Sequence, residues 1–226
     1  MTAQSKQGNY QEPDKRKTTI IRLIITFLVC TIVVCIAAYL EYINFWKKQY
    51  NGSHNNPNFG LVNKANWAQR IDFPGLPNFY KVSDDLYRGA QPTAEGMKQL
   101  KELGIKTIIN LRSVHSDRDE LGDTKLAYVH MNMTTRGPKN DDVVRFLKIV
   151  TDSNSTPVFV HCQHGSDRTG TMCAIYRIAV QGWSKDEAIA EMTGGDFGFH
   201  RIWMNLVDYV RKLDTDEIKK SAGLNE

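Results

Sequence analysis

The chain has 226 residues, 41% hydrophobic and 24% charged, with a formal net charge of +4, which suits one globular domain plus an appendage. The charge is uneven: residues 1–67 carry 8 Lys/Arg against 3 Asp/Glu, and residues 68–226 carry 21 against 22. A nearly neutral folded part argues against a nucleic-acid binder, so the basic excess is read as a membrane-topology signal.

Residues 1–17 are polar and read as a disordered tail. Residues 18–41 read as a transmembrane helix or uncleaved signal anchor, centred on "LIITFLVCTIVVCIAAYL" (23–40), which carries no charge. As a helix this stretch spans roughly 27 Å, close to the hydrocarbon thickness of a bilayer. Lys15, Arg16, Lys17 and Arg22 precede it, whereas Lys47 and Lys48 follow it. Tyr39, Tyr42, Phe45, Trp46 and Tyr50 suit an interfacial belt beyond it. This asymmetry predicts an N-terminus inside and a domain outside, periplasmic if the membrane is a bacterial inner membrane. A cleaved signal peptide is the rival, with Cys35-Ile36-Ala37 as a poor cleavage site. Residues 42–66, rich in Asn and Gly from 51 onward, read as a linker.

The domain is expected over 67–213. A strand is predicted in 84–92 and a helix over 93–104, capped by Thr93 and stopped at Gly104. Strands follow at 106–111 and 126–133. A helix over 141–152 would place Val144, Leu147 and Ile149 or Val150 on one face. A strand at 157–161 and helices at 168–180, 184–193 and about 201–213 complete the domain, with 214–226 as a polar tail. The alternation predicts an α/β fold: a central, mostly parallel twisted sheet flanked by helices, preceded by one membrane helix. Ligands in such folds bind beyond the carboxyl ends of the strands.

"VFVHCQHGSDRTGT" (158–171) sits at such an end. A loop between a strand and a helix N-terminus presents consecutive N–H groups in a concave nest that favours a dianion. Gly165 allows the turn, and Gly170 lets the helix start pack closely. Arg168 offers a planar fork for two phosphate oxygens. The same groups favour thiolate over thiol at Cys162. A thiolate at the base of an anion bowl points to phosphate transfer through a phosphocysteine. Cys30 and Cys35 fall in the apolar segment and Cys173 in the following helix, so no disulfide framework is expected.

"HCQHGSDRTG" resembles the active-site loop, His-Cys-x5-Arg-[Ser/Thr]-Gly, of the cysteine-dependent protein tyrosine and dual-specificity phosphatases. "DLYRGAQP", "KTIINLR" and "QGWSKDEAIAEM" also resemble compact bacterial members of that family, secreted ones included. The resemblance implies Cys162 as nucleophile, Arg168 as phosphate clamp and Thr169 as support for the thiolate. His161 would hold the loop, while Gln163, His164, Gly165, Ser166, Asp167 and Arg168 would bind the phosphate. It implies no metal and no organic cofactor. The family takes its general acid from an aspartate on a separate loop; here Asp141 and Asp142 at a helix start are candidates, as is Asp167 inside the bowl. Each has a plainer role: helix capping for the pair, a salt bridge to Arg168 for Asp167. His161, Cys162 and His164 lack a fourth ligand at metal-binding spacing. "GGDFGFH" (194–200) could bring Phe197, Phe199 or His200 to the rim or simply pack. Arg88, Arg112 and Arg136 are expected at the mouth or on solvated surface. The expected substrate is a phosphorylated protein or small phosphate ester. The alternatives are lipid or inositol phosphates, and a catalytically weak phosphate-binding module.

Overall fold

The computed structural model describes residues 15–54 and 64–224. Most of the expected tail (1–14) and part of the linker (55–63) lie outside the described residues. Contacts divide the chain into two units, Met1–Pro57 and Asn58–Glu226.

The first unit is one helix, α1 (Lys15–His54). Its stretch Arg22–Asn44 is long and apolar enough to cross a membrane, with a mean hydropathy of 2.8 and no burial within the protein. Thr26 Oγ1 donates to the Arg22 carbonyl at 2.9 Å and Thr31 Oγ1 to the Leu28 carbonyl at 2.8 Å. Both polar side chains are thereby satisfied inside the apolar run. The helix runs on through residues read as linker, since no Gly or Pro interrupts Lys15–Gln49.

The second unit holds a six-stranded sheet in the order β1-β2-β3-β6-β4-β5. Its strands are β1 (Gln69–Arg70), β2 (Tyr80–Lys81), β3 (Leu86–Gly89), β4 (Thr107–Asn110), β5 (Ala127–His130) and β6 (Val158–His161). Strands β3, β6, β4 and β5 are mutually parallel, while β1 and β2 add an antiparallel edge. "VFVH" and "TIIN" are buried throughout, as strands covered on both faces must be. Side-chain alternation divides the core accordingly. Val158, Val160 and Ile109 join one apolar cluster, whereas Phe159 and Ile108 join another with Phe79, Met97 and Leu100.

The helices are α2 (Ala94–Glu102), α3 (Arg118–Leu121), α4 (Asn140–Val150), α5 (Asp167–Ala179), α6 (Lys185–Gly194), α7 (Met204–Lys212) and α8 (Thr215–Ala222). Thr93 caps α2 by accepting from the Gly96 amide, and Ser184 and Glu187 form a reciprocal capping box on α6. α5 is buried along nearly its whole length. There Arg177 and Glu191 form a two-point pair at 2.8 and 2.6 Å. Glu191 also accepts from the Ala68 amide at 2.6 Å, which ties the first residues of the domain to α6.

Two expectations change. The buried face of α4 is Val143, Phe146, Leu147 and Val150, with Val144 and Ile149 only partly covered, because Phe146 takes the central position. Residues 215–222 are a helix rather than a polar tail. Asp214 caps α8 by accepting from Glu217, and Ile218 and Ala222 are buried in the main cluster.

Strand register sets up the site. Gly89 and Asn110 both pair with His161, and Asn110 pairs with His130, so four carboxyl ends lie side by side. The loop after β6 opens at that edge.

Candidate active site

Cys162 follows the last residue of β6 and is 2% exposed. The loop turns at Gly165 (φ 72°), where an added Cβ would lie 2.5 Å from the backbone of Gly89, so only glycine fits. A notional Cβ on Gly170 would lie 3.3 Å from Met192 Cγ of α6 and 3.7 Å from Nη2 of Arg88, a residue of β3, so the missing side chain lets the helix start approach both.

The loop carbonyls are held from outside. Asn78 Nδ2 donates to the His164 carbonyl at 2.8 Å and to the Phe197 carbonyl at 2.9 Å. Arg88 Nη2 donates to the Gly165 carbonyl at 2.7 Å. Ser166 Oγ donates to the Phe197 carbonyl at 2.6 Å. A peptide whose carbonyl is drawn outward turns the following N–H inward. Accordingly, the amides of Gln163, His164, Gly165 and Ser166 donate to no protein acceptor among the described residues. A nest of free amides at the N-terminus of α5 is an anion site.

Arg168, half-buried at the helix start, has Nη1 3.5 Å from the Leu111 and Met133 carbonyls and pairs with no carboxylate among the described residues. The plainer role for Asp167, a salt bridge to Arg168, is not found, and another partner takes its carboxylate. Both Asp167 oxygens face His200, with Oδ1 accepting from its backbone N–H at 2.8 Å and Oδ2 2.9 Å from its Nδ1. Thr169 Oγ1 is buried and has no hydrogen-bond partner among the described residues. Asp141 and Asp142 lie in the first turn of α4 and make no hydrogen bond or ion pair with residues 162–168. Asp142 instead faces Tyr209, whose phenol is pushed up to about 12 by burial and then by that carboxylate.

Behind the loop, His161 is fully buried and stacks on Phe159 at 5.6 Å. Its Nε2 lies 2.7 Å from Asp117 Oδ2, and its Nδ1 lies 3.2 Å from the Cys162 carbonyl. The other Asp117 oxygen accepts from Asn110 Nδ2 at 2.8 Å and from Gln91 Nε2 at 3.0 Å. Asp117 occupies the N-cap position of α3 yet does not cap it. Sequence reasoning missed this residue, since nothing in "HSDRDE" separates it from an ordinary capping aspartate. His115, Asp117 and Glu120 bring donor atoms within 4.8 Å of one another. Asp117, however, already faces Asn110, Gln91 and His161, which argues against a cation there.

Arg88, expected at the mouth or in solvent, is instead 1% exposed, and its guanidinium lies 3.6 Å from the Phe197 ring centre. Phe197 packs edge-on against Tyr80 at 4.7 Å, so it belongs to the loop's support and not to the rim. Arg112 donates to Gln91 Oε1 at 3.2 Å, and Arg136 is exposed. The loop between β6 and α5 thus carries a buried thiol, four amides with no acceptor among the described residues and a half-buried guanidinium, an arrangement able to bind an anion.

Comparison with known proteins agrees with that geometry. The family described as "DSP-PTPase phosphatase fused to NAD+ Kinase" matches residues 54–203. The dual specificity protein phosphatase TpbA of Pseudomonas aeruginosa (strain UCBPP-PA14) is 37% identical over 165 residues, covering 71% of this chain and 72% of its own. A crystal structure of P. aeruginosa TpbA superposes with a TM-score of 0.63 at 34% identity, covering 70% of this chain and 96% of that one. A cysteine-to-serine form of TpbA in complex with phosphotyrosine gives the same score at 32% identity, covering 70% and 97%. The catalytic core of the PP-IP phosphatase SIW14 from Saccharomyces cerevisiae superposes with a TM-score of 0.59 at 25% identity, covering 67% and 94%.

Proposed function

The chain belongs to the cysteine-dependent dual-specificity and tyrosine phosphatase family, and from that premise we propose a membrane-tethered phosphatase of phosphorylated proteins that works through a phosphocysteine. The observation that carries the reading is the run of four amides, Gln163 to Ser166, with no acceptor among the described residues, between the buried Cys162 and Arg168 on one loop. The Cys162 sulfur attacks phosphorus while the amides and the Arg168 fork hold the equatorial oxygens, whose charge needs most stabilisation in the transition state. The Thr169 hydroxyl, buried and unpartnered, is available to support the sulfur as it leaves in the second step. Asp117 and His161 brace the strand end behind Cys162, and Arg88 and Asn78 keep the loop carbonyls turned out.

Phosphotyrosine bound to TpbA favours an aryl phosphate on a protein as substrate. A second reading, an inositol phosphate substrate, is favoured by the likeness to SIW14, whose name is inositol diphosphatase. Neutral Gln163 and Ser166 in the loop weigh against a polyanionic ligand.

The test is Cys162→Ser. Turnover of phosphotyrosine peptide should vanish while peptide binding survives, because the amides and Arg168 remain. Hydrolysis at the wild-type rate by purified Cys162→Ser would refute the nucleophile. Running the wild type against phosphopeptides, phosphoinositides and inositol phosphates ranks the two readings.

A further inference from the structure

We propose that His200, held by Asp167 beside the loop, is the proton carrier of this enzyme. The inference rests on the phosphatase reading and deepens it. The loop from which the family takes its acid, residues 131–139 between β5 and α4, reads "MNMTTRGPK" and contains no carboxylate. The next two carboxylates, Asp141 and Asp142, have no bond to the phosphate loop. Asp167 stands in the loop, but its carboxylate is 9% exposed and fully engaged by one residue. It accepts from the His200 backbone N–H at 2.8 Å and faces His200 Nδ1 at 2.9 and 3.3 Å.

A carboxylate that only accepts fixes the ring tautomer. Nδ1 carries its hydrogen toward Asp167, and Nε2 is left as the atom that takes up and releases a proton. Nε2 makes no hydrogen bond among the described residues, and the side chain is 53% exposed, so the atom is open to an incoming ester. The ring stands beside the loop. It bonds the residue immediately before Arg168, and its centre lies 5.8 Å from that of His164, an exposed loop residue. The titratable groups facing it are therefore Asp167 from α5 and His164 from the loop, with Arg201 next in the chain.

The chemistry balances. As the Cys162 thiolate forms the S–P bond and the P–O bond to the leaving group breaks, the Nε2 proton passes to the departing oxygen. The alcohol is released and the imidazole is neutral. In the second step Nε2 takes a proton from water while the water oxygen attacks phosphorus and the S–P bond breaks. Phosphate leaves, and both thiolate and imidazolium are restored.

The experiment compares 4-nitrophenyl phosphate with unsubstituted phenyl phosphate on full-length wild type, His200→Gln, Asp167→Asn and the double variant. The two esters are nearly the same size but differ in leaving-group quality. His200→Gln should lose roughly 100-fold on phenyl phosphate with little change on the nitrophenyl ester, because a good leaving group does not need the proton. Adding Asp167→Asn to His200→Gln should leave that ratio where it is, since the aspartate acts through the ring. Inhibition by inorganic phosphate should be unaltered in His200→Gln, showing the bowl intact. Equal losses on both esters, or no loss on phenyl phosphate, would overturn the assignment. So would a ratio that shifts in Asp167→Asn but not in His200→Gln, which would make the aspartate the acid. A wild type inactive on both esters would sink the phosphatase reading itself.

Discussion

Asp117 has no solvent exposure, yet its two oxygens face Asn110, Gln91 and His161, three donors from three parts of the chain. Replacing it by Asn keeps the shape but sets an amide hydrogen against a donor. Leaving a buried donor unpaired costs about 1–3 kcal/mol, so Asp117→Asn should lose that much unfolding free energy and melt earlier. It should also slow alkylation of Cys162 by iodoacetate, because His161 loses the partner that fixes its ring. An unchanged melting curve would remove Asp117 from the support of the loop. Cys173 gives a contrasting expectation. Burial pushes its thiol up to about 11, so between pH 7 and 9 it stays protonated and unreactive. Peptide mapping after iodoacetamide treatment should find Cys173 modified only in denaturant. Cys162 and Arg168 are legible in the sequence because a single contiguous loop carries them. Their supports are not, since Asp117, Arg88 and Asn78 reach the loop across 44, 77 and 86 positions of chain. Spacing cannot reveal such partners.

At the scale of elements, the long apolar runs were readable and the polar short ones were not. β4 and β6 announce themselves because burial on both faces demands uninterrupted Ile, Val and Phe. β1 and β2 have two residues each, and the β1 pair is wholly exposed, so no pattern marks them. α8 was hidden for another reason. "TDEIKKSA" has only Ile218 as a large apolar residue, which in isolation looks like solvated chain. In the fold Ile218 is 3% exposed within the main cluster, and Asp214 caps the helix. Ile218→Ala should therefore cost about 2–5 kcal/mol, the range for deleting a buried aliphatic side chain. Denaturant melts of the variant measure it. A loss within error would mean that α8 is dispensable and that the domain ends near Leu213.

At the scale of the whole molecule the question is which side of a membrane holds the bowl. Arg22–Asn44 has 23 residues, roughly 35 Å of helix, and its apolar side chains are exposed to whatever surrounds them. Water is a poor surrounding for a surface of that size, so the helix needs lipid or protein against it. Lys15, Arg16, Lys17 and Arg22 lie before the stretch and Lys47 and Lys48 after it, and the larger basic cluster stays on the cytoplasmic side. That rule predicts a domain beyond residue 54 on the outer side. The test uses two reporters fused after Gln49. Alkaline phosphatase, which needs an oxidising compartment, should be active, and a fluorescent protein that folds only in the cytoplasm should be dark. The intact mass of the mature protein should include residues 18–41, because a retained anchor is not cleaved. A bright cytoplasmic reporter would reverse the orientation, and a mature chain beginning after Ala37 would make the segment a signal peptide. Replacing Lys15, Arg16 and Lys17 by Gln sharpens the comparison. If their charge sets the topology, that triple change should let a fraction of the chains insert the other way round, leaving the fold of residues 64–224 untouched but the bowl on the wrong side.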